Sequence, residues 1–133
     1  MYLLNIIEET NVVEASLGGR IDATEMKVMG EELAELLTHV ETDSFCVLLD
    51  YSRAKPLDRK ALVELSWIKD SLFESGASKI VNVARDESEI IAATTDRIQY
   101  VLEGKEIFVL DPAEVRFPAV QQSATAVYHL KAA

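Results

Sequence analysis

The hydrophobic period of the chain changes several times, and each change marks an element. "YLLNIIEE" is apolar and partly β-branched, which predicts a strand. "ETN" interrupts it. "VVEASLG" then resumes with Val13, Ala15 and Leu17 on one face and Glu14 and Ser16 on the other. That period of two predicts a hairpin with one half-solvated face, ended by Gly18 and Gly19. In "IDATEMKVMGEELAELLTHV" the period turns helical, with Met26, Met29, Leu33, Leu36, Leu37 and Val40 on one stripe and Asp22 or Thr24 as the cap. Gly30 weakens this helix by up to about 1 kcal/mol relative to alanine.

"SFCVLLD" is a short continuous apolar run, as expected of a strand buried on both faces, with Cys46 as an inert packed thiol. "DRKALVELSWIKDSLFESG" predicts a second helix with Ala61, Leu65, Ile68 and Leu72 inward, a face widened by Leu62 and Phe73 and ended by Gly76. "SKIVNVA" is the next strand. "RDESEIIAATTDRIQYVLEG" predicts one continuous third helix with Ile90, Ile91, Thr94, Ile98, Val101 and Leu102 inward. Asp86 and Glu89 resemble a capping box at its start. "KEIFVLD" is the last strand, and "DPAE" opens a turn of helix with Asp111 as cap and Pro112 in the first position. A fourth helix follows Pro118, with Val120, Ala124, Val127 and Tyr128 on one side. Trp67, Phe73 and Tyr100 are expected in the core or as partly covered helix residues.

Strands that alternate with helices imply right-handed crossovers. The expected fold is therefore α/β: a mixed, mostly parallel sheet of about five strands with an N-terminal hairpin and four helices. In such sheets functional sites gather at the carboxyl ends of the strands, here "DYSRAKPLDRK", "ARDES" and "DPAE".

Composition narrows the partners. A length of 133 residues suits one domain, 1–133, and 49% hydrophobic residues against 27% charged supply a core without disulfides or metals. The net charge of −10 disfavours nucleic acid and anionic membrane surfaces, and favours solubility or a partner with a basic face. The single cysteine excludes an internal disulfide. No signal peptide is visible, so a reducing cytoplasm is the expected location, and no apolar run approaches the roughly 20 residues of a membrane span.

Catalytic chemistry is sparse. His39 and His129 stand near helix ends, where histidine complements the helix dipole. Nucleophile elbows, metal-ligand spacings and phosphate-binding glycine motifs are all missing. Asp50, Asp58, Asp86 and Asp111 lie at strand ends, where four carboxylates can hold a divalent cation, but each also reads as a strand-end or helix-capping residue. The expectation is a non-enzymatic protein with no cofactor. The remaining anomaly is Arg59 and Lys60. Behind an Asp58 cap they fall in a helix's first turn, where the partial positive charge of the backbone disfavours cations. Either both reach into water, or terminus and cations together attract an anion or a partner carboxylate.

"VLLDYSRAKPLDRKAL" resembles the signature of STAS domains, the SpoIIAA-like anti-sigma-factor antagonist family. That signature is a hydrophobic strand, D-[LF]-S, about five residues, then D-S-[ST]-G-L at the start of a helix. Asp50, Tyr51 and Ser52 match its first part, Asp58 falls at the expected offset, and Leu62 stands where the final leucine does. The element order matches across nearly the whole chain. Lys60 stands where regulated members carry the phosphorylated serine or threonine, and Ala61 replaces the glycine. The resemblance therefore implies the fold and a protein-binding habit without the phosphoswitch. It implies a regulatory interaction module of the bacterial cytoplasm, with a docking face formed by Ser52, Arg53, Lys55, Asp58, Arg59 and Lys60. Its partner would be a regulator, a kinase-like protein or a second copy of itself, as a homodimer. Ser52 is expected to bond the loop backbone. The alternative is a small-molecule or lipid carrier of the related CRAL-TRIO type, with a pocket lined by residues such as Ile90, Ile91 and Ile98.

Overall fold

The computed structural model describes residues 1–7, 10–40 and 44–115. Strand β1 (Tyr2–Ile7) and β2 (Val12–Gly19) form the expected hairpin, with Asn11 in the left-handed region at its turn (φ 54°). Helix α1 (Ala23–Leu37) follows, then β3 (Phe45–Ala54), α2 (Arg59–Glu74), β4 (Ala77–Val83), α3 (Glu87–Asp96), α4 (Ile98–Leu102), β5 (Glu106–Val109) and a 3-10 turn at Pro112–Glu114. The sheet order is β1-β2-β3-β4-β5, antiparallel at β1-β2 and parallel elsewhere.

From β2 onward each new strand is added beside its predecessor in the same direction, so right-handed connections carry the helices to one face of the sheet. The packing agrees. Val13, Ala15, Val47, Leu49 and Ile80 of the sheet share one core with Met26, Met29 and Leu33 of α1 and Leu65, Ile68 and Leu72 of α2. Val12, Leu48, Val81 and Val83 form a second cluster, where Val115 packs with them. β3 is therefore buried on both sides, as its unbroken apolar run requires.

Helices α1 and α2 touch at Gly30. A Cβ there would lie 2.8 Å from Ile68 Cγ1 and 2.9 Å from its Cδ1, so the glycine is kept for close approach. Gly30→Ala gains about 1 kcal/mol of helix propensity but forces an overpacking loss of about 1–3 kcal/mol. Urea denaturation is expected to show a net loss in the natural background and a net gain in an Ile68→Ala background. The difference between the two measures the contact.

Three expectations are corrected. The predicted third helix is broken at Arg97, whose φ of −115° and ψ of 22° end α3 and begin α4. Ile91, Ile98 and Leu102 face solvent instead of the core. On α2, Leu62 and Trp67 are exposed too, Trp67 at 61%, whereas Phe73 and Tyr100 stack on each other with ring centroids 4.7 Å apart. Cys46 is half-buried and packs, as expected, against the second cluster, with its sulfur 3.5 Å from the Ser78 hydroxyl. The helix expected after Pro118 lies outside the described residues.

Candidate functional site

The carboxyl end of β3 leads into α2 through the segment that the sequence singles out. β3 runs on to Ala54, so Ser52 and Arg53 belong to the strand, where a loop was expected. Asp50 is buried, and its Oδ1 accepts from the Ser52 hydroxyl at 2.6 Å and the Ser52 N–H at 3.0 Å. Ser52 thus bonds a side chain and not, as expected, the loop backbone, and the bond fixes the Asp-Tyr-Ser corner. Arg53 and Lys55 are exposed, and the Lys55 N–H donates to the Gly19 carbonyl at 2.8 Å.

Asp58 caps α2, with Oδ1 accepting from the Ala61 N–H at 2.8 Å. Arg59 and Lys60 fill the first turn, both exposed, with no carboxylate paired to either among the described residues. The strand-end aspartates are spent on local structure. Asp22, Asp86 and Asp111 cap α1, α3 and the 3-10 turn. The N–H of Glu89, then the Ser88 hydroxyl, hold the Asp86 carboxyl below its ordinary range. The reciprocal half of the expected box slips by one residue, because Glu89 Oε1 accepts from the Arg85 N–H at 2.9 Å.

Behind this rim lies a buried ionic network that the hydrophobic pattern conceals. Glu106 on β5 is 1% exposed. Its Oε2 accepts from Lys69 Nζ at 2.8 Å and from Asn82 Nδ2 at 3.1 Å, and its Oε1 from Arg97 Nε at 2.9 Å. Arg97 Nη1 donates to Asp70 Oδ1 at 2.7 Å and to the Ser66 hydroxyl at 2.8 Å. Rings complete the cage. Lys69 Nζ lies 4.9 Å from the Phe108 centroid, and Arg97 Cζ lies 4.5 Å from that of Tyr100. The two cations shift in opposite directions. Burial pushes the Lys69 ammonium down, with Glu106 only partly opposing it. For Arg97 desolvation also acts against the charge, but Glu106 and Asp70 outweigh it and raise its value.

Between α2 and α3 a cleft of about 530 Å³ opens toward the same rim. Tyr51, Lys69 and Arg97 line its buried side, Leu62, Val63 and Trp67 one wall, and Ala92 and Ala93 the other. Ile90, Ile91 and Ile98, named from sequence as pocket residues, do not line it. The sequence reading missed the network although a signal exists. Lys69 stands inside the stripe of Leu65, Ile68 and Leu72, and Arg97 stands inside that of Ile90, Thr94 and Val101. Opposite charges at inward positions of neighbouring elements announce buried ion pairs.

Among the described residues no helix is long and apolar enough to cross a membrane. No family model matches the chain, and no curated protein does. Solved structures do. One is an uncharacterized DUF3478-family protein with a SpoIIAA-like fold from Shewanella loihica PV-4, 14% identical over 85% of this chain and 89% of that one, with a TM-score of 0.61. Another is the anti-sigma factor antagonist SpoIIAA in its unphosphorylated form, 10% identical over 86% of this chain and 93% of that one, with a TM-score of 0.55. At such identities the likeness speaks for architecture alone: the chain has the SpoIIAA-like fold, in a divergent sequence.

Proposed function

We propose that the protein is a non-enzymatic interaction module that docks a protein partner on the rim from Ser52 to Lys60. The observation that carries this reading is the pair of exposed cations, Arg59 and Lys60, placed without carboxylate partners among the described residues in the first turn of α2. The local backbone disfavours them there by a few tenths of a kcal/mol, so folding gives no reason to keep them. Recognition of a partner's carboxylates does. Leu62, Val63 and Trp67 stand exposed on the same helix and supply apolar area beside the charges, the composition of a docking surface. A protein of similar fold is an anti-sigma factor antagonist, which suits a regulatory role. Lys60 at the position of the family's phosphoacceptor makes the docking independent of a serine kinase. The partner is a regulator, a kinase-like protein or a second copy of the chain.

The test is charge reversal, Arg59→Glu with Lys60→Glu. Affinity capture with the purified protein is expected to lose the partner retained by the natural sequence. Stability moves the other way, because two carboxylates in the first turn gain about 0.3–1 kcal/mol each from the helix dipole. A variant that melts no lower yet loses its partner supports the proposal, and unchanged capture ends it.

A further inference from the structure

The sheet has an unguarded edge. β1 stands last on its side of the order β1-β2-β3-β4-β5, and among the described residues nothing pairs with its outer edge. Edge strands are ordinarily blunted by charged residues, proline or a bulge. β1 reads YLLNII, without charge or proline, and its register against β2 runs without a shift. It does so in a chain of net charge −10 in which 27% of the residues are charged. Tyr2, Leu4 and Ile6 point to the helix-covered core and are only partly buried against it. Leu3, on the other face, is 73% exposed.

The backbone along this edge is self-complementary. The Met1 ammonium donates to the Gly18 carbonyl at 3.1 Å, and the Gly18 N–H donates to the Met1 carbonyl at 2.8 Å. Bonded pairs alternate along an antiparallel ladder. In the observed register Leu3, Asn5 and Ile7 therefore bond to Ser16, Glu14 and Val12. The N–H and C=O groups of Tyr2, Leu4 and Ile6 point the opposite way, out of the sheet.

We infer that β1 pairs antiparallel with β1 of a second copy of this chain across a two-fold axis at Leu4, joining two sheets into one. Leu4 then faces Leu4, and Tyr2 faces Ile6 of the second copy. In this register every outward N–H and C=O of Tyr2, Leu4 and Ile6 finds a partner. A slip of two residues leaves some of them unpaired, and a slip of one sends side chains to the wrong face. A second copy brings the same outward residues at the same spacing and adds no charge to the strand. Tyr2, Leu4 and Ile6 of both copies form one apolar row, and Leu3 lies opposite Asn5 of the second copy. The contact is isologous, so it closes at two chains.

Sedimentation velocity of the full chain over a wide range of protein concentration is the test. A reversible monomer–dimer equilibrium is expected. Added salt should strengthen it, because screening weakens the repulsion between two chains that each carry −10. Leu4→Pro removes an outward N–H that bonds nothing within the sheet and should leave a monomer. Leu3→Glu with Asn5→Glu places carboxylates opposite one another across the pair. Both positions are exposed, so the melting temperature should hold while the dimer is lost. Leu3→Lys with Asn5→Lys should do the same. An equal mixture of the two double variants should dimerise again, since each glutamate then faces a lysine. A natural chain that stays monomeric at every concentration would overturn the inference. So would a dimer that survives Leu4→Pro or either double variant, a mixture that stays monomeric, or association that weakens as salt is added. Arg59→Glu with Lys60→Glu leaves β1 untouched and should keep the dimer, so this pairing does not rest on the docking proposal and the two fail separately.

Discussion

Glu106→Ala is expected to remove about 3–5 kcal/mol of folding stability, because it strands the buried Lys69 ammonium and takes one of two carboxylates from the buried Arg97. Glu106 is the acceptor that Lys69 and Arg97 share, through separate oxygens at 2.8 and 2.9 Å. Lys69 has no other carboxylate within ion-pair distance among the described residues, whereas Arg97 keeps Asp70 at 2.7 Å. For a chain of this length the loss corresponds to a fall of roughly 10–20 °C in the midpoint of a thermal melt. Glu106→Gln keeps the shape and one acceptor oxygen and should lose less. Replacing all three charges together by apolar side chains, Lys69→Met with Arg97→Met and Glu106→Leu, should recover most of the stability, since a buried ionic set is often matched by well-packed apolar residues. If Glu106→Ala melts with the natural protein, the network does not hold β5 to α2.

The same variant has a pH signature. Lys69 already lies below its ordinary value of 10.5 in the native state. Between its folded value and 10.5 the unfolded chain therefore binds more protons than the native one, and stability rises with pH across that window. Removing Glu106 takes away the charge that opposes the shift, so the window extends to lower pH. Melts of Glu106→Ala should accordingly gain more on going from neutral to alkaline solution than melts of the natural protein, until other groups begin to titrate.

The second large effect is at Leu49, the fully buried centre of β3. Leu49→Ala removes packing on the helix-covered face of the sheet, between Ala15 on β2 and Asn82 on β4, and is expected to cost about 2–5 kcal/mol, depending on how far the cavity collapses. Leu102→Ser provides the contrast. Leu102 lies on a stripe that periodicity assigns to the core, yet it is 76% exposed, and its replacement should stay within about 0.5 kcal/mol of neutral. Urea unfolding of both variants tests the break at Arg97 directly. Had α3 and α4 been one helix with that stripe inward, Leu102→Ser would rank with Leu49→Ala.

Period and caps alone carried most of the architecture. The alternation in "VVEASLG", the unbroken "FCVLL", Asp22 or Thr24 before the first helix, and Asp58, Asp86 and Asp111 before their helical segments led to the hairpin, the buried central strand and the capped starts, with Asp22 the cap that the structure selects. These are local rules. A strand's faces follow from its pleat, and a cap needs only its next three residues. Local rules also placed Arg59 and Lys60 in the first turn of α2, in solvent. What those two cations bind is a separate question, answered by the charge-reversal test.

Only the tertiary structure decided the rest. Arg97 has to turn inward to reach Glu106 across nine residues of sequence and Asp70 across twenty-seven. That long-range demand, and not any helix-breaking residue, coincides with the end of α3 and the exposure of Ile98 and Leu102. The cleft likewise belongs to no single segment, because residues of β3, α2 and α3 all line it. Hydrophobic periodicity treats a charged residue on an inward stripe as noise. A folded chain treats it as a group that needs a partner, and the position of that partner is a property of the whole sheet.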